Sequence, residues 1–471
     1  MLFNSVHFLW FLPLVITLYY LLPGRWRWTL LLAASYTFYM FWKVEYAAII
    51  LGSTFIDFWA GRQMGKRATP RERRPFLILS LGVNFGLLFT FKYAGFFGET
   101  LNALLDAGLE PLALLLPVGI SFYTFQSVGY MVDVYRGKSA PEQHFGYFAL
   151  FVAYWPQLVA GPIERYHHIG PQLHATQKLQ YDNFAHGFRL IILGFFAKMV
   201  VADNLAVLVN QFYENPIGYG RRDAAIALIS YSFQIYCDFY GYSLIAIGSA
   251  RLMGVRLADN FRTPYLSSSV AEFWQRWHIS LSTWFRDYLF IPLGGSRVGL
   301  ARWAFNAMVV FTVSGFWHGA RWTFVIWGAA WGLFYVAEKF LGKLFPKSKP
   351  VVGQDAAKAW TWGKALRMPV IFGLATAAWV PFRSESLAKM ALVWDALIHQ
   401  HAGITHFEIP VQTFSALGIF LLLDLLHYNQ QPHEWLGRRP MALRWAIYAI
   451  LIFGTLAFAA VEEVPFIYFQ F

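Results

Sequence analysis

The sequence predicts an all-α, polytopic membrane protein that forms a single membrane domain over residues 1–471. Hydrophobic residues occupy 57% of the positions and charged residues only 14%, whereas soluble domains carry about 25% charge. The mean hydropathy of +0.43 agrees with this class. Apolar runs of about 17–25 residues, the length that a bilayer-spanning helix needs, recur along the chain. No long polar block remains that would fold outside the bilayer.

The charge balance favours a membrane surface over nucleic acid as the partner. There are 38 Lys and Arg residues against 26 Asp and Glu residues, a net charge of +12. In an apolar chain, this excess is typical of basic cytoplasmic loops that contact anionic lipid headgroups. The single cysteine, Cys237, lies inside an apolar run and has no second cysteine to pair with, so we interpret it as a packing residue.

The apolar runs define the predicted spans. In the first part of the chain, they cover residues 6–22, 29–41, 46–60, 76–97, 112–134 and the shorter run 145–160. Further on, they cover residues 185–210, 224–250, 303–317, 321–341, 368–382, 413–427 and 441–461. We expect about twelve spans and one re-entrant segment, with both termini outside.

Loop charges predict the orientation. The loop GRQMGKRATPRERR, residues 61–74, is the most basic segment of the chain, and such short loops stay on the cytoplasmic side. The loop after residue 97 carries Glu99, Asp106 and Glu110 without a Lys or Arg, so we expect it to face outward. The run 145–160 is short, and Trp155-Pro156 within it and Gly161-Pro162 just after it favour a segment that dips into the membrane and returns.

The stretch from Glu272 to His318 concentrates polar and aromatic residues that a membrane core rarely contains. It places a tryptophan directly before each of two histidines, His278 and His318. Four residues fall at helical spacing around His278, which predicts one shared helical face: Trp274, Leu281, Ser282 and Phe285. Pro292 and the glycines after it end this predicted helix.

His318 is the strongest candidate for chemistry. It lies between two apolar runs that we expect to form a tight pair, and ionisable residues at membrane depth are candidates for function. The ordinary pKa of histidine suits a group that takes up a proton near neutral pH. A packed histidine that hydrogen-bonds to backbone is the alternative for both His278 and His318.

Other polar residues carry weaker signals. Asp238 is the one acid in an apolar run, and a structural ion pair with a buried Arg or His is an alternative to a role in the site. His167, His168 and His174 lack the carboxylate or cysteine ligands that zinc sites usually gather, so we expect no metal. From the residues alone, an acyl or proton transfer centred on His318 and a transporter both stay open.

Five strings resemble the membrane-bound O-acyltransferase (MBOAT) family. They are PVGISFYTFQSVGYMVDVYRG, WPQLVAGPIER, DFYGYSLIAIG, NFRTPYLSSSVAEFWQRWHISLSTWFRDYLFIPLGGSR and SGFWHGARWTFVIWG. The resemblance spans nearly the whole chain, and the string around His278 is highly specific. It points to the bacterial branch that acetylates alginate and peptidoglycan, with teichoic acid D-alanylation more distant.

This resemblance implies a helical funnel in the bacterial cytoplasmic (inner) membrane. The family moves an acyl group, here an acetyl group, from a cytoplasmic thioester to hydroxyl groups on the far side. The implied donor is acetyl-CoA or an acyl-carrier thioester, and the implied acceptor is a polysaccharide. An exported acetyltransferase is an expected partner, together with membrane lipids. No metal or nucleic acid is expected.

The resemblance assigns His318 as the catalytic base and His278 as the second catalytic position. We predict that the substrate-binding residues are Trp274, Trp277, Arg276, Ser282, Arg286, Trp317 and Asp238. In this mechanism the acceptor hydroxyl attacks the thioester directly, without a covalent protein intermediate. One departure concerns the acceptor: Leu244 stands where alginate-type proteins are expected to carry an acid, and Tyr240 replaces a small residue.

A transporter or flippase for a polysaccharide precursor is the alternative of a different class. In that protein the histidines would form a proton relay. The two functions differ in one requirement, because a flippase works without acyl-CoA.

The orientation can be tested by cysteine labelling in a Cys237→Ser background. A cysteine placed in residues 65–74 should resist a membrane-impermeant thiol reagent in intact cells, since that basic loop is expected inside. A cysteine at Asn102 should react. Labelling of the first position without the second would reverse the orientation.

Overall fold

The computed structural model describes residues 1–106, 108, 114–159, 161–342, 362–399, 405–408, 410–428, 430–460 and 465–469. Within these ranges the regular secondary structure is helical, apart from an isolated bridge between Tyr219 and Thr405. The predicted all-α fold is therefore confirmed. The chain forms two compact units, which we call unit 1 (residues 1–191 and 245–258) and unit 2 (residues 192–244 and 259–471). The assignment of the whole chain to one domain stays a prediction.

Unit 1 is built from short and medium helices. In chain order they are α1 Val6–Leu21, α2 Arg27–Met40, α3 Tyr46–Gly65, α4 Pro70–Leu88, α5 Ala94–Leu105, α6 Ile120–Tyr135, α7 Phe145–Ala153, α8 Trp155–Leu158, α9 Tyr166–His174 and the first part of α10, Tyr181–Phe195. Some buried polar groups between these helices are hydrogen-bonded to one another. Asp57 of α3, for example, accepts hydrogen bonds from Ser80 Oγ at 2.6 Å and from Asn84 Nδ2 at 2.9 Å.

The predicted run 112–134 is only partly helical. Its first two residues lie outside the described ranges, and α6 begins at Ile120 rather than at the start of the run. Gly119 precedes the helix with a φ of +76°, and a Cβ at this position would lie 2.6 Å from the carbonyl oxygen of Leu158. Close backbone approach therefore requires glycine here and sets the beginning of α6.

The run 145–160 is interrupted where its sequence suggested. Helix α7 ends before Tyr154, whose φ of −53° and ψ of +110° are not helical, and α8 then starts at Trp155. The residues of both pieces are almost all buried. Residue 160 lies outside the described ranges, and the return of this segment to its starting side stays a prediction.

Unit 2 contains the longest helices. Its elements are a π-helical segment Phe196–Ala202, α11 Asp203–Glu214, α12 Arg221–Leu252, α13 Val270–Arg276, α14 Ile279–Phe285 with a π-helical continuation Arg286–Phe290, α15 Leu300–His318, α16 Trp322–Leu341, α17 Trp362–Arg383, α18 Leu387–Ile398, α19 Val411–Leu426, α20 Pro432–Gly437 and α21 Met441–Phe458. Unit 2 includes α12 as far as Leu244.

In the described ranges, five helical stretches are long and apolar enough to cross a bilayer. They are Pro70–Leu105, Tyr181–Glu214, Trp322–Leu341, Trp362–Arg383 and Met441–Phe458. Two shorter apolar helices are Val6–Leu21 and Val411–Leu426. Several predicted spans are shorter than a full crossing or carry too many polar residues. The count of about twelve spans is therefore not confirmed and stays a prediction.

Helices α15 and α16 form the tight pair that the sequence predicted. A Cβ at Gly315 would lie 2.3 Å from the carbonyl oxygen of Phe324, and one at Gly328 would lie 2.3 Å from that of Phe311. Small residues let two helix backbones approach this closely. The close packing holds the end of α15, and with it His318, against α16.

Gly328→Ala should therefore destabilise unit 2, because the added methyl group meets backbone that has no room to move. Overpacking of this kind typically costs about 1–3 kcal/mol. Thermal unfolding of the detergent-solubilised protein measures the effect. Gly373→Ala is the matched control, since a Cβ there meets nothing within 4 Å. Equal melting temperatures for the two variants would contradict this account of the pair.

Candidate active site

The single helix predicted around His278 is wrong, because the chain breaks at this residue. Helix α13 ends before Trp277, which is extended, and His278 has a left-handed backbone with a φ of +44°. Asn260 stabilises the chain directly after the break. Its carbonyl oxygen accepts the backbone N–H of Ile279 at 2.9 Å, and its Oδ1 accepts the hydroxyl of Ser280 at 2.6 Å. The two halves therefore have no common helical face.

This break places His278 in the interior of unit 2. The residue is 0% exposed, and its ring packs edge-on against Phe239 of α12 at a centroid distance of 4.7 Å. Its ring lies 6.3 Å from the ring of His318. The two predicted histidines are thus brought together, although 39 residues lie between them in the chain.

His318 is the last residue of α15 and is 2% exposed. Its Nδ1 lies 2.6 Å from the carbonyl oxygen of Ser314. Because a carbonyl oxygen only accepts, Nδ1 carries the proton in this contact. In the neutral ring the lone pair is then on Nε2, which is the tautomer of a general base.

Aromatic rings enclose the pair of histidines. The ring of His318 lies 4.9 Å from Trp327, 5.6 Å from Phe382 and 5.7 Å from Tyr468. Tyr468 also lies 6.2 Å from His278. Tyr468 was not among the predicted site residues, although it belongs to the aromatic string FIYFQF, residues 466–471.

The three predicted tryptophans differ in their distance from the histidines. Trp317 lies 6.2 Å from His278 and 4.9 Å from His318, so it forms part of the enclosure. Trp277 is buried and stacks on Phe273 at 5.6 Å. Trp274 packs against Trp331 at 5.2 Å. The structure thus gives Trp277 and Trp274 contacts with other aromatic rings of unit 2.

The predicted polar ligands are engaged with protein groups. Arg276 pairs with Glu272 at 2.9 Å, and its side chain is only 10% exposed. The Ser282 hydroxyl donates to the carbonyl oxygen of Trp277 at 3.3 Å. Arg286 is more than half exposed and pairs with Asp287 at 2.8 Å. Their predicted roles in substrate binding stay predictions.

Asp238 is buried in an ion pair, but its partner differs from the expected Arg or His. Its Oδ1 lies 2.6 Å from Nζ of Lys198, and its Oδ2 accepts the backbone N–H of Ile467 at 2.7 Å. Lys198 also pairs with Asp203 at 2.6 Å. The Lys was overlooked because it lies within another apolar run, where the hydropathy of its neighbours hides a single charge.

The histidines considered for a metal lie in unit 1, next to separate carboxylates. His168 Nδ1 is 2.7 Å from Glu164, and this hydrogen bond raises the pKa of His168. His174 Nε2 is 2.8 Å from Glu142. Among the described residues, no group of three or more His, Cys, Asp or Glu side chains is arranged to hold a metal ion.

Comparison with known families identifies the class of membrane enzyme to which the chain belongs. The model of the MBOAT, membrane-bound O-acyltransferase family matches residues 142–378, half of the chain. This range contains Asp238, His278 and His318. The chain belongs to the membrane-bound O-acyltransferase family and is a membrane protein. The predicted enzyme, an O-acyltransferase of the acetyltransferase type, is confirmed, and the match favours it over the transporter.

Similarity to individual proteins agrees with the predicted branch of the family. The chain is 36% identical to the probable alginate O-acetylase AlgI of Pseudomonas putida, over 100% of both chains. It is 39% identical to the probable alginate O-acetylase AlgI of Pseudomonas aeruginosa, over 92% of this chain and 83% of the relative. It is 33% identical to a peptidoglycan O-acetyltransferase of Helicobacter pylori, over 84% and 80%. The predicted alginate and peptidoglycan branch is therefore confirmed.

Proposed function

We propose that this protein transfers an acetyl group from a cytoplasmic thioester to hydroxyl groups of a polysaccharide outside the bacterial inner membrane. The observation that carries the proposal is the buried pair of histidines. His278 and His318 lie with their rings 6.3 Å apart inside aromatic walls, and His318 is held in the tautomer of a base by Ser314.

His318 acts as the general base. As the acceptor oxygen attacks the thioester carbonyl carbon, Nε2 of His318 takes the hydroxyl proton, and a tetrahedral intermediate forms. The C–S bond then breaks, and the proton passes to the leaving thiolate. The products are an ester and a free thiol, so the step needs no oxidant or metal. The hydrogen bond from Nδ1 to the Ser314 carbonyl stabilises the imidazolium that exists between these proton transfers.

His278 serves the thioester donor. Its ring lies beside His318. A ring N–H of His278 donates a hydrogen bond to the thioester carbonyl oxygen as negative charge develops there. Ser282 is less suited to this task, because its hydroxyl donates to the backbone of Trp277. The left-handed backbone of His278 lies between the end of α13 and the start of α14, and the ring packs against Phe239 and Tyr468.

The donor is acetyl-CoA or an acyl-carrier thioester. Both donors carry phosphate, which guanidinium groups bind well. Arg286, at the end of α14, has a largely exposed side chain and is the better candidate for this contact. Arg276 is buried in its pair with Glu272 and supports the fold of α13 instead.

The acceptor is a polysaccharide, reached directly or through an exported acetyltransferase partner. Two relatives named as alginate O-acetylases and one named as a peptidoglycan O-acetyltransferase support an exopolysaccharide or cell-wall polymer. Leu244, which stands where an acid was expected for alginate, is buried at 3% exposure. Its effect on the choice of polymer therefore acts through packing rather than through a contact with sugar.

His318→Gln should abolish most polymer acetylation. Glutamine keeps much of the size and a hydrogen-bond donor but takes up no proton, so the rate should fall by about 10²–10⁴-fold, as is typical for removal of a general base. The rate of polymer acetylation by His318→Ala should fall by a similar factor. Polymer acetylation is measured in cells at matched levels of inserted protein.

His427→Gln is the matched control, since it replaces another buried histidine of unit 2. It should retain much more activity than His318→Gln. Near wild-type acetylation by the Gln variant of His318 would mean that this histidine is structural, and the proposed mechanism would fail.

His278→Ala should weaken donor binding or turnover while leaving acceptor and partner binding intact. The loss of one oxyanion donor costs about 10²–10³-fold in rate. Release of thiol from acetyl-CoA by purified protein in vesicles measures donor turnover, and pull-down of the exported partner measures the second property. Unchanged donor affinity together with unchanged turnover would exclude this role.

A further inference from the structure

A buried ion cluster in unit 2 is connected to the segment that carries Tyr468. Lys198, Asp203 and Asp238 are exposed by 1%, 3% and 3%, and Nζ of Lys198 lies 2.6 Å from an oxygen of each carboxylate. The second oxygen of Asp238 accepts the backbone N–H of Ile467 at 2.7 Å. The described residues 465–469, which we call the wall segment, are thus held by a charged side chain.

The charges of this cluster explain why the backbone contact forms. One ammonium faces two carboxylates, so the cluster has an excess negative charge when all three groups are ionised. A buried carboxylate is stable only when further donors reach it. The N–H of Ile467 supplies such a donor, and hydrogen bonds to ionised acceptors are stronger than neutral ones.

Close helix packing brings the members of the cluster together. Lys198 lies in the π-helical segment Phe196–Ala202, and Asp238 lies on α12. A Cβ at Gly241 of α12 would lie 2.6 Å from the carbonyl oxygen of Gly194 and 2.9 Å from the backbone nitrogen of Lys198. The absence of a side chain at Gly241 therefore allows the backbones to approach and Lys198 to meet Asp238.

The neighbours of Ile467 pack on the same helix and on the histidines. Phe466 stacks on Tyr242 at 4.5 Å. Tyr468 lies 4.6 Å from Phe239, and its ring, like that of Trp317, lies close to both His278 and His318. The hydrogen bond to Asp238 lies between these two aromatic contacts, so it fixes the position of Tyr468 along α12.

We propose that Asp238, held by Lys198, is a positioning residue that anchors the wall segment so that Tyr468 closes the active site. This inference rests on the proposed function for the meaning of the site. The anchor itself is a physical contact and can be measured without any acyl transfer. It also replaces the predicted substrate contact of Asp238 with an indirect role.

The first experiment measures the anchor by thiol reactivity. Ile467→Cys in a Cys237→Ala background puts a cysteine at a position that is 3% exposed and keeps the backbone N–H. Adding Asp238→Leu should raise the rate of modification by a maleimide about tenfold or more, because a hydrogen bond to a charged group shifts such an opening equilibrium by this order. Leucine leaves Lys198 paired with Asp203.

Two matched variants separate anchoring from general loosening. Asp203→Asn alters the same cluster without touching the wall segment, so its modification rate should stay near that of the parent. Asp238→Asn keeps an oxygen that accepts the N–H of Ile467 and should react more slowly than Asp238→Leu. An unchanged rate in Asp238→Leu, or an equal rise in Asp203→Asn, would overturn the proposal.

The second experiment asks whether the anchor acts through Tyr468. Asp238→Leu and Tyr468→Ala should each lower polymer acetylation. The double variant should be no less active than the less active single variant, because both changes remove the same wall. Multiplying losses would overturn the positioning role. If His318→Gln stayed active, the proposed function would fail. The thiol measurement would still show whether Asp238 anchors the wall segment.

Discussion

The cost of removing polar groups from water is the constraint on which unit 2 depends. Its interior contains charges that hydrocarbon does not solvate, and several of those in the described residues meet a partner inside the protein. Lys198 lies between two carboxylates, Arg276 pairs with Glu272, and Asn260 accepts two hydrogen bonds from the first residues of α14, directly after the break at His278. These contacts determine where the backbone bends, because backbone groups freed by a bend need partners as well.

The positions of the two histidines have two different structural causes. His318 is placed by helix packing, since glycines let α15 and α16 approach and the helix end carries the ring inward. His278 is placed by a break, since the residue takes a left-handed conformation that ends one helix and starts another. The tightly packed pair α15 and α16 and the broken segment α13–α14 thus meet at the two histidines. Aromatic residues then close the space around the rings.

Sequence reasoning predicted the parts of this site that depend on local pattern. The runs before and after His318, with small residues next to it, indicated a tight helix pair, and the structure has one. The prediction of one helical face around His278 was wrong, because helical spacing was counted through Trp277. That residue is extended, and the break is stabilised by Asn260, which bonds to Ile279 and Ser280 from outside the window in which periodicity is read. Tyr468 was missed because an aromatic string near other apolar residues gives no signal of its own.

The sequence by itself determined the class of protein, because hydropathy and charge are properties of composition that folding does not alter. It also singled out both histidines, since ionisable residues are rare in apolar chains. Only the tertiary structure decided which groups surround them. Asp238 was expected to meet an Arg or a His and meets Lys198 and the backbone of Ile467 instead. Such partners are distant in the chain, and their choice depends on how closely whole helices pack, which no local pattern encodes.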